Sequence, residues 1–286
     1  MSVQHPLASS TNKNQSPVAG RRSPVYPSPG SLYYAVVIAI LFLPIVLLIV
    51  FSFNDSTQLV FPLSGFTLAH YAGLFQNREM LESLRTSILL GIGSSLLATT
   101  LGTMGAIAVV RLRFPGRSFF LAIAALPLVI PYVILGVSLL ILFNQVGIGL
   151  SAWSAGLAHV VISVPYALLI VAARLAGFPE NLEEAAMDLG TTYWGALRRV
   201  TLPLSLPALV AAFLICFTIS FDEFAISSFL VGTQPTLPVY LYSQLRFPTR
   251  LPLVVALSAI LMVATMASIV LAEWLRRVGQ ATTLAE

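Results

Sequence analysis

Charge is scarce in this chain. Asp, Glu, Lys and Arg make up 9% of its 286 residues, against 57% hydrophobic residues, and the mean hydropathy is +0.91. Soluble globular domains carry about 25% charge, so the shortage excludes a soluble domain and indicates an integral membrane protein. Lysine is nearly missing: Lys13 stands alone. A P-loop needs a lysine after a glycine-rich turn to hold nucleotide phosphates, so no Walker-type ATP site is present. The single cysteine, Cys216, lies in an apolar run and has no partner in the chain, as a small buried hydrophobe would. Three histidines and this cysteine show no metal-ligand spacing, which argues against zinc or another bound metal. No G-x-S-x-G elbow or other nucleophile motif occurs. The chain is therefore not expected to be an enzyme by itself or to carry a cofactor. Its formal charge of +4 is not a nucleic-acid footprint, because in such a chain the position of charge matters more than its sum.

What remains is long apolar runs. Crossing a hydrocarbon core takes about 20 apolar residues, and six stretches qualify: 31–53, 83–110, 118–143, 152–174, 204–231 and 252–275. Backbone polar groups in lipid must be satisfied within the segment, so these are expected to be helices, giving an all-α membrane protein. Residues 1–30, rich in Ser, Pro, Asn and Gln, read as a disordered tail. Arg21 and Arg22 precede the first run, but that run is too long for a cleaved signal and reads as an uncleaved span. Placing both termini in the cytoplasm puts Lys13, Arg21, Arg22, Arg111, Arg113, Arg117, Arg174, Arg198, Arg199, Arg276 and Arg277 inside. Only Arg78, Arg85, Arg246 and Arg250 then lie outside, as the positive-inside rule requires.

Several features follow along the chain. Pro44 stands inside the first span and is a candidate kink. Residues 54–82 form an external loop whose Phe61, Phe66, Tyr71 and Phe75 suit an interface-lying segment. The second span carries two rows of small residues at four-residue intervals, Ser94, Ala98, Gly102 and Ala106 beside Ser87, Gly91, Ser95 and Thr99. Such rows let helix backbones approach closely in lipid, so this helix is expected at the centre of a bundle. Pro127, Pro131 and Pro165 predict irregular third and fourth spans. His159 in the fourth span is either a hydrogen-bonded structural residue or a relay. Asp222 and Glu223 fall in the outer half of the fifth span, where ionisable groups cost about 2.5–3.5 kcal/mol each on insertion scales. They are candidates for the wall of a translocation pathway, or else structural acids paired with a neighbouring helix.

The clearest polar interval lies between the fourth and fifth spans, on the cytoplasmic side. Glu180, Glu183, Glu184 and Asp188 are followed by Arg198 and Arg199. Pro179 suits the first turn of a helix whose acids complement its dipole. Ala185 and Ala186 keep one face low, Gly190 ends the helix, and Thr191 or Thr192 can cap a second one carrying Tyr193, Trp194 and Leu197. The expectation is a helical elbow parallel to the membrane with a small-residue face that another protein can approach.

Glu184-Ala185-Ala186, Gly190 and Val200-Thr201-Leu202-Pro203 resemble the EAA motif of ABC importer membrane subunits, E-A-A-x3-G-x9-I-x-L-P, with valine in place of isoleucine. The resemblance covers about residues 83–275. It implies a type I permease bundle of six transmembrane helices with a cytoplasmic coupling helix, in a bacterial inner membrane. Glu184, Ala185, Ala186, Gly190, Leu202 and Pro203 would then be the ATPase-coupling residues. Implied partners are ABC ATPase subunits, a second and similar permease subunit, an external solute-binding protein and membrane lipid, with no nucleic acid. Phe221-Asp222-Glu223-Phe224 and Thr236–Ser243, with Arg246-Phe247 beyond, are similar to the second permease subunit of spermidine/putrescine importers, although the segment Pro248–Pro252 is shorter and basic here. The implied domain plan is a tail 1–30, a first helix 31–53, an external loop 54–82, a permease domain 83–275 and a cytoplasmic tail 276–286. The competing expectation is an ion-coupled carrier or channel using Asp222 and Glu223.

Overall fold

A computed structural model describes residues 29–58, 60–178, 181–264 and 266. The tail up to residue 28, Pro179 and Glu180 at the entry to the polar insert, and Arg276 and Arg277 lie outside the described residues. The chain divides into two compact units, Met1–Leu47 and Leu48–Glu286. Among the described residues there is no strand, only an isolated bridge between Asn54 and Phe66. Four helices are long and apolar enough to cross a membrane, or five if one sharply bent pair counts as a single span.

Helix α1 (Pro29–Phe51) is apolar all round, and Pro44 is accommodated without ending it. The segment that follows is tied together rather than loose. Asn54 Oδ1 accepts from Ser64 N at 2.9 Å, and Thr67 N donates to Phe53 O at 2.8 Å. Phe53 stacks on Phe66 at 5.0 Å, while Phe61, Phe66 and Phe75 remain exposed. Helix α2 (Ala69–Gln76) closes the segment.

Helix α3 (Arg78–Arg111) starts five residues before the expected span, because Asn77 caps it: its Oδ1 accepts from Met80 N at 3.0 Å. At 34 residues and about 1.5 Å per residue, it is much longer than a hydrocarbon core about 30 Å thick. Both rows of small residues turn inward: seven of the eight are buried and Thr99 is half-buried. A Cβ built at Gly102 would lie 2.5 Å from Ala167 Cβ and 2.7 Å from Leu168 N, so glycine is what permits α3 to meet α6 (Ala152–Ala176) backbone to backbone. Helix α6 opens with a capping box formed by Ser151 and Ser154, and it runs unbroken through the buried Pro165.

Two expected spans are not straight helices. The stretch 118–143 is divided into α4 (Arg117–Ala125) with a 3-10 turn at Leu126–Leu128, and α5 (Tyr132–Gln145), bent by 103°. Pro127 and Pro131 remove two backbone donors four residues apart, which ends the first helix and restarts the second. The stretch 204–231 is interrupted at Asp222–Phe224, between α9 (Leu202–Phe221) and α10 (Ala225–Leu230). The described core is built where α3, α6 and α9 pack on one another, with α5 and α10 against one end. Helix α11 (Leu237–Gln244) is fastened to α3 by Ser87 Oγ, which accepts from Leu237 N at 2.8 Å, and by Asn77 Nδ2, which donates to Tyr240 Oη at 2.8 Å. The last described helix, α12 (Pro248–Ala264), covers the start of the sixth expected span.

Candidate functional site

The polar insert folds as the elbow its sequence implies. Helix α7 (Asn181–Asp188) has Glu183 and Glu184 in its first turn, at the positive end of the helix dipole. It ends in a Schellman motif. Thr191 N donates to Ala186 O at 3.3 Å, and Gly190 N donates to Met187 O at 2.9 Å. Gly190 sits at φ +90°, a left-handed conformation that costs glycine nothing. A Cβ there would meet nothing within 4 Å, so the requirement for glycine is purely one of backbone angle. Thr191 Oγ1 adds a bond to Ala186 O at 2.8 Å. Thr192 then caps α8 (Tyr193–Ala196) by accepting from Gly195 N at 3.2 Å.

Tyr193 to Phe221 is continuously helical, with a π-helical turn over Leu197–Thr201. Pro203 cannot donate to Arg199, and its ring crowds that carbonyl in a regular ladder. The wider turn just before it, in which Leu202 N reaches back to Leu197 O, opens the backbone there. Leu202 is half-buried and Pro203 exposed at the mouth of α9.

Outwardly the elbow presents Glu184, Ala185, Asp188 and Gly190, with Ala186 half-buried. Leu189 is 87% exposed and Trp194 69% exposed. Leu182 and Met187 are exposed beside them, so the elbow holds several large apolar side chains out from a polar segment. The sequence reading had singled out Trp194 but not Leu189. Glu183, which the sequence groups with the other acids of the insert, is set apart by burial: its side chain is only 9% exposed. Its Oε1 accepts from Arg111 Nε at 3.0 Å and from Thr201 Oγ1 at 2.7 Å, so this acid faces the bundle while its neighbour Glu184 faces away.

At the other acidic pair the two residues also part company. Glu223 is buried, and its carboxylate closes the N-terminus of α10. Oε1 accepts from Ile226 N at 2.7 Å and Oε2 from Ser227 N at 2.8 Å. His159 of α6, wholly buried, lies 3.4 Å from Oε2 through its Nε2. Its Nδ1 bonds Ser220 Oγ at 2.7 Å and its Nε2 bonds Ser227 Oγ at 2.9 Å. Ser220 in turn meets Ser94 Oγ of α3 at 2.9 Å. One buried polar chain therefore joins α3, α6, α9 and α10 at the break in α9, and His159 is its hub. Asp222 is exposed; its backbone N donates to Thr218 O at 3.1 Å, while its carboxylate makes no hydrogen bond or ion pair among the described residues. Next to this break, Phe224, Tyr242, Arg246 and Phe247 line a cavity of 460 Å³, with the Phe224 and Tyr242 rings 4.8 Å apart.

The elbow residues and the acidic pair are thus two separate sites, one on the polar insert and one at the break between α9 and α10. Comparison with known proteins covers both. The spermidine/putrescine transport system permease protein PotC of Escherichia coli K12 is 33% identical over 246 residues, spanning 86% of this chain and 92% of that protein. The PotC of Haemophilus influenzae is 37% identical over 243 residues, 85% of this chain and 94% of its own length. The putrescine transport system permease protein PotI of Escherichia coli K12 is 34% identical over 215 residues, 72% and 76% of the two chains. A solved bacterial ABC transporter involved in import of the acidic polysaccharide alginate superposes with a TM-score of 0.62 over 89% of this chain and 99% of that one. At 16% identity it speaks to the fold alone. Residues 98–278, from the middle of α3 past the end of α12, match the family described as binding-protein-dependent transport system inner membrane component, and this chain belongs to that family.

Proposed function

We propose that this chain is the membrane-spanning permease subunit of an ATP-driven importer for a polyamine such as spermidine or putrescine. An external binding protein delivers the solute, a second and similar permease completes the pathway, and ATP is hydrolysed in ABC ATPase subunits docked on the elbow. Glu184, Ala185, Ala186, Gly190, Leu202 and Pro203 are the coupling residues, and both termini are cytoplasmic. The single observation that carries the reading is the outward presentation of Glu184, Ala185 and Gly190 on a capped elbow, in a chain 33% identical to PotC over most of its length. The alginate transporter has no weight for the solute, since its likeness is one of fold.

Within this reading Asp222 and Glu223 belong to the pathway wall with unequal tasks. Asp222 offers an unpaired carboxylate that attracts a polycation, and Glu223 fixes the turn that displays it. The test is uptake of labelled spermidine and putrescine by the complete importer, with the ATPase subunits and binding protein co-expressed. Uptake should require ATP and survive collapse of the ion gradient. The double variant E184A/G190V should remain in the membrane and lose uptake. Wild-type uptake in that variant, or uptake that follows the ion gradient in ATP-depleted cells, would refute the proposal.

A further inference from the structure

Helix α7 is joined covalently to α6 on one side and to α8 on the other, but nothing in the chain's connectivity ties it to α3. Yet α3 is the helix on which both α6 and α9 pack. Among the described residues, the side-chain polar link from the elbow to α3 is the ion pair of Glu183 with Arg111, the last residue of α3. The same carboxylate oxygen takes the hydroxyl of Thr201, in the π-helical turn that leads into α9. Three elements therefore meet on one oxygen atom: the elbow, the end of α3 and the root of α9.

The surroundings make this contact stiff. The Arg111 and Glu183 side chains are 6% and 9% exposed, and Thr201 is 2% exposed. Phe178, Leu182, Val200 and Leu204 close around them and leave a cavity of only 10 Å³. An ion pair removed from water gains little net stability, because desolvation offsets attraction, but it fixes geometry wherever its donors are held. Here both donors are fixed, one by the end of a 34-residue helix and the other by a turn of defined backbone. A displacement of α7 must carry both along or break a buried charged contact.

We infer that Glu183, with Arg111 and Thr201, is the positioning joint that carries movement of the elbow into α3 and α9. Glu184 and Glu183 then divide the work of adjacent carboxylates, one facing the docked partner and one facing the bundle. This inference rests on the reading that the elbow receives the ATPase stroke.

The experiment uses the complete importer in proteoliposomes, with spermidine as the solute, and measures solute moved per ATP hydrolysed. Substitutions along a coupling route change coupling by about 2- to 30-fold; E183A and E183Q should fall toward the larger end of that range and the near-isosteric T201V toward the smaller. All three should still co-purify with the ATPase subunits and hydrolyse ATP. The double variant R111M/E183L separates a joint from a merely structural pair. Apolar replacement of both partners preserves stability, so a structural role predicts full recovery of uptake per ATP, whereas a joint requiring bonds to two helices predicts that it stays low. Wild-type uptake per ATP in T201V and E183A, recovery in R111M/E183L, or loss of the ATPase subunit from E183A while T201V behaves as wild type would each overturn the inference. Failure of the underlying reading looks different: E184A, too, would then leave uptake per ATP unchanged, and no ATPase subunit would co-purify with the wild-type chain.

Discussion

Replacing Glu223 with alanine removes the acceptor for Ile226 N and Ser227 N, bonds of 2.7 and 2.8 Å, and the carboxylate facing His159 at 3.4 Å. His159 keeps Ser220 and Ser227 hydroxyls as partners, so the main loss falls on two buried backbone N–H groups in a six-residue helix. Leaving a buried donor unsatisfied costs about 1–3 kcal/mol. Removing the charge recovers some desolvation, but breaking one side of a buried charged cluster is destabilising by about 3–5 kcal/mol in total, and we expect E223A near the lower end. E223Q keeps one acceptor and turns an amide N–H toward a backbone donor, which should cost about 1–2 kcal/mol. E223D retains the charge on a shorter arm that cannot reach both N–H groups and should fall between wild type and alanine.

The assay is thermal unfolding of the purified chain in detergent, followed by survival of the monodisperse peak after heating. D222A is the control. The Asp222 carboxylate is exposed without a partner among the described residues, and surface substitutions of that kind stay within about 0.5 kcal/mol of wild type. The expected order of thermal midpoints is wild type and D222A together, then E223D and E223Q, then E223A. A midpoint for E223A equal to that of wild type would refute the capping role. If D222A alone lost uptake while keeping its midpoint, the exposed acid would be the one that meets the solute.

Three further outcomes follow from the geometry. G102V forces side-chain atoms into the backbone of Ala167 and Leu168; overpacking costs about 1–3 kcal/mol, and because backbone rather than a rotatable side chain is met, the thermal midpoint should show the upper end. N77A removes both the cap on Met80 N and the bond to Tyr240 Oη and should cost about 1–2 kcal/mol, with Y240F recovering part of the difference in a double-mutant cycle. At Gly190 the φ of +90° and the open space around it predict that asparagine, which tolerates the left-handed region, retains more uptake than alanine, and alanine more than valine; equal uptake for all three would show that the Schellman turn is dispensable.

Much of this architecture is written locally in the chain. The four-residue rows from Ser87 to Ala106 placed α3 at the centre because small residues have one use on a long apolar helix. Gly190 and Thr192 ended one short helix and began the next by rules that act within a single turn. The breaks were harder to read. Pro127 and Pro131 signal irregularity, but the 103° bend depends on what α4 and α5 pack against as well as on the lost donors. Asp222 and Glu223 interrupt the apolar run of the fifth span, but two acids in a row do not by themselves show that the helix stops and restarts there. The stop follows from a cap on α10 held by His159, more than sixty residues earlier. Glu183 was hidden for the same reason. Four acids near one another look alike in sequence, and Glu183 is the one held inward by Arg111, 72 positions away.

The two acidic pairs share a logic that this separation explains. In Glu183-Glu184 and in Asp222-Glu223, one carboxylate is buried and the other exposed. A carboxylate can be buried only where donors already stand in place, since an unpaired buried charge costs more than a helix cap or an ion pair returns. Each buried member accordingly accepts from two or more fixed groups: Arg111 and Thr201 for Glu183, and two backbone amides for Glu223. Those bonds orient the backbone, and with it the exposed neighbour one residue away. The exposed member has no such obligations and is free to meet something outside the chain. A substitution at either pair therefore separates two effects that a sequence motif merges: loss at the buried acid changes how the outer one is held, and loss at the outer acid leaves the fold unaltered and changes only what it meets.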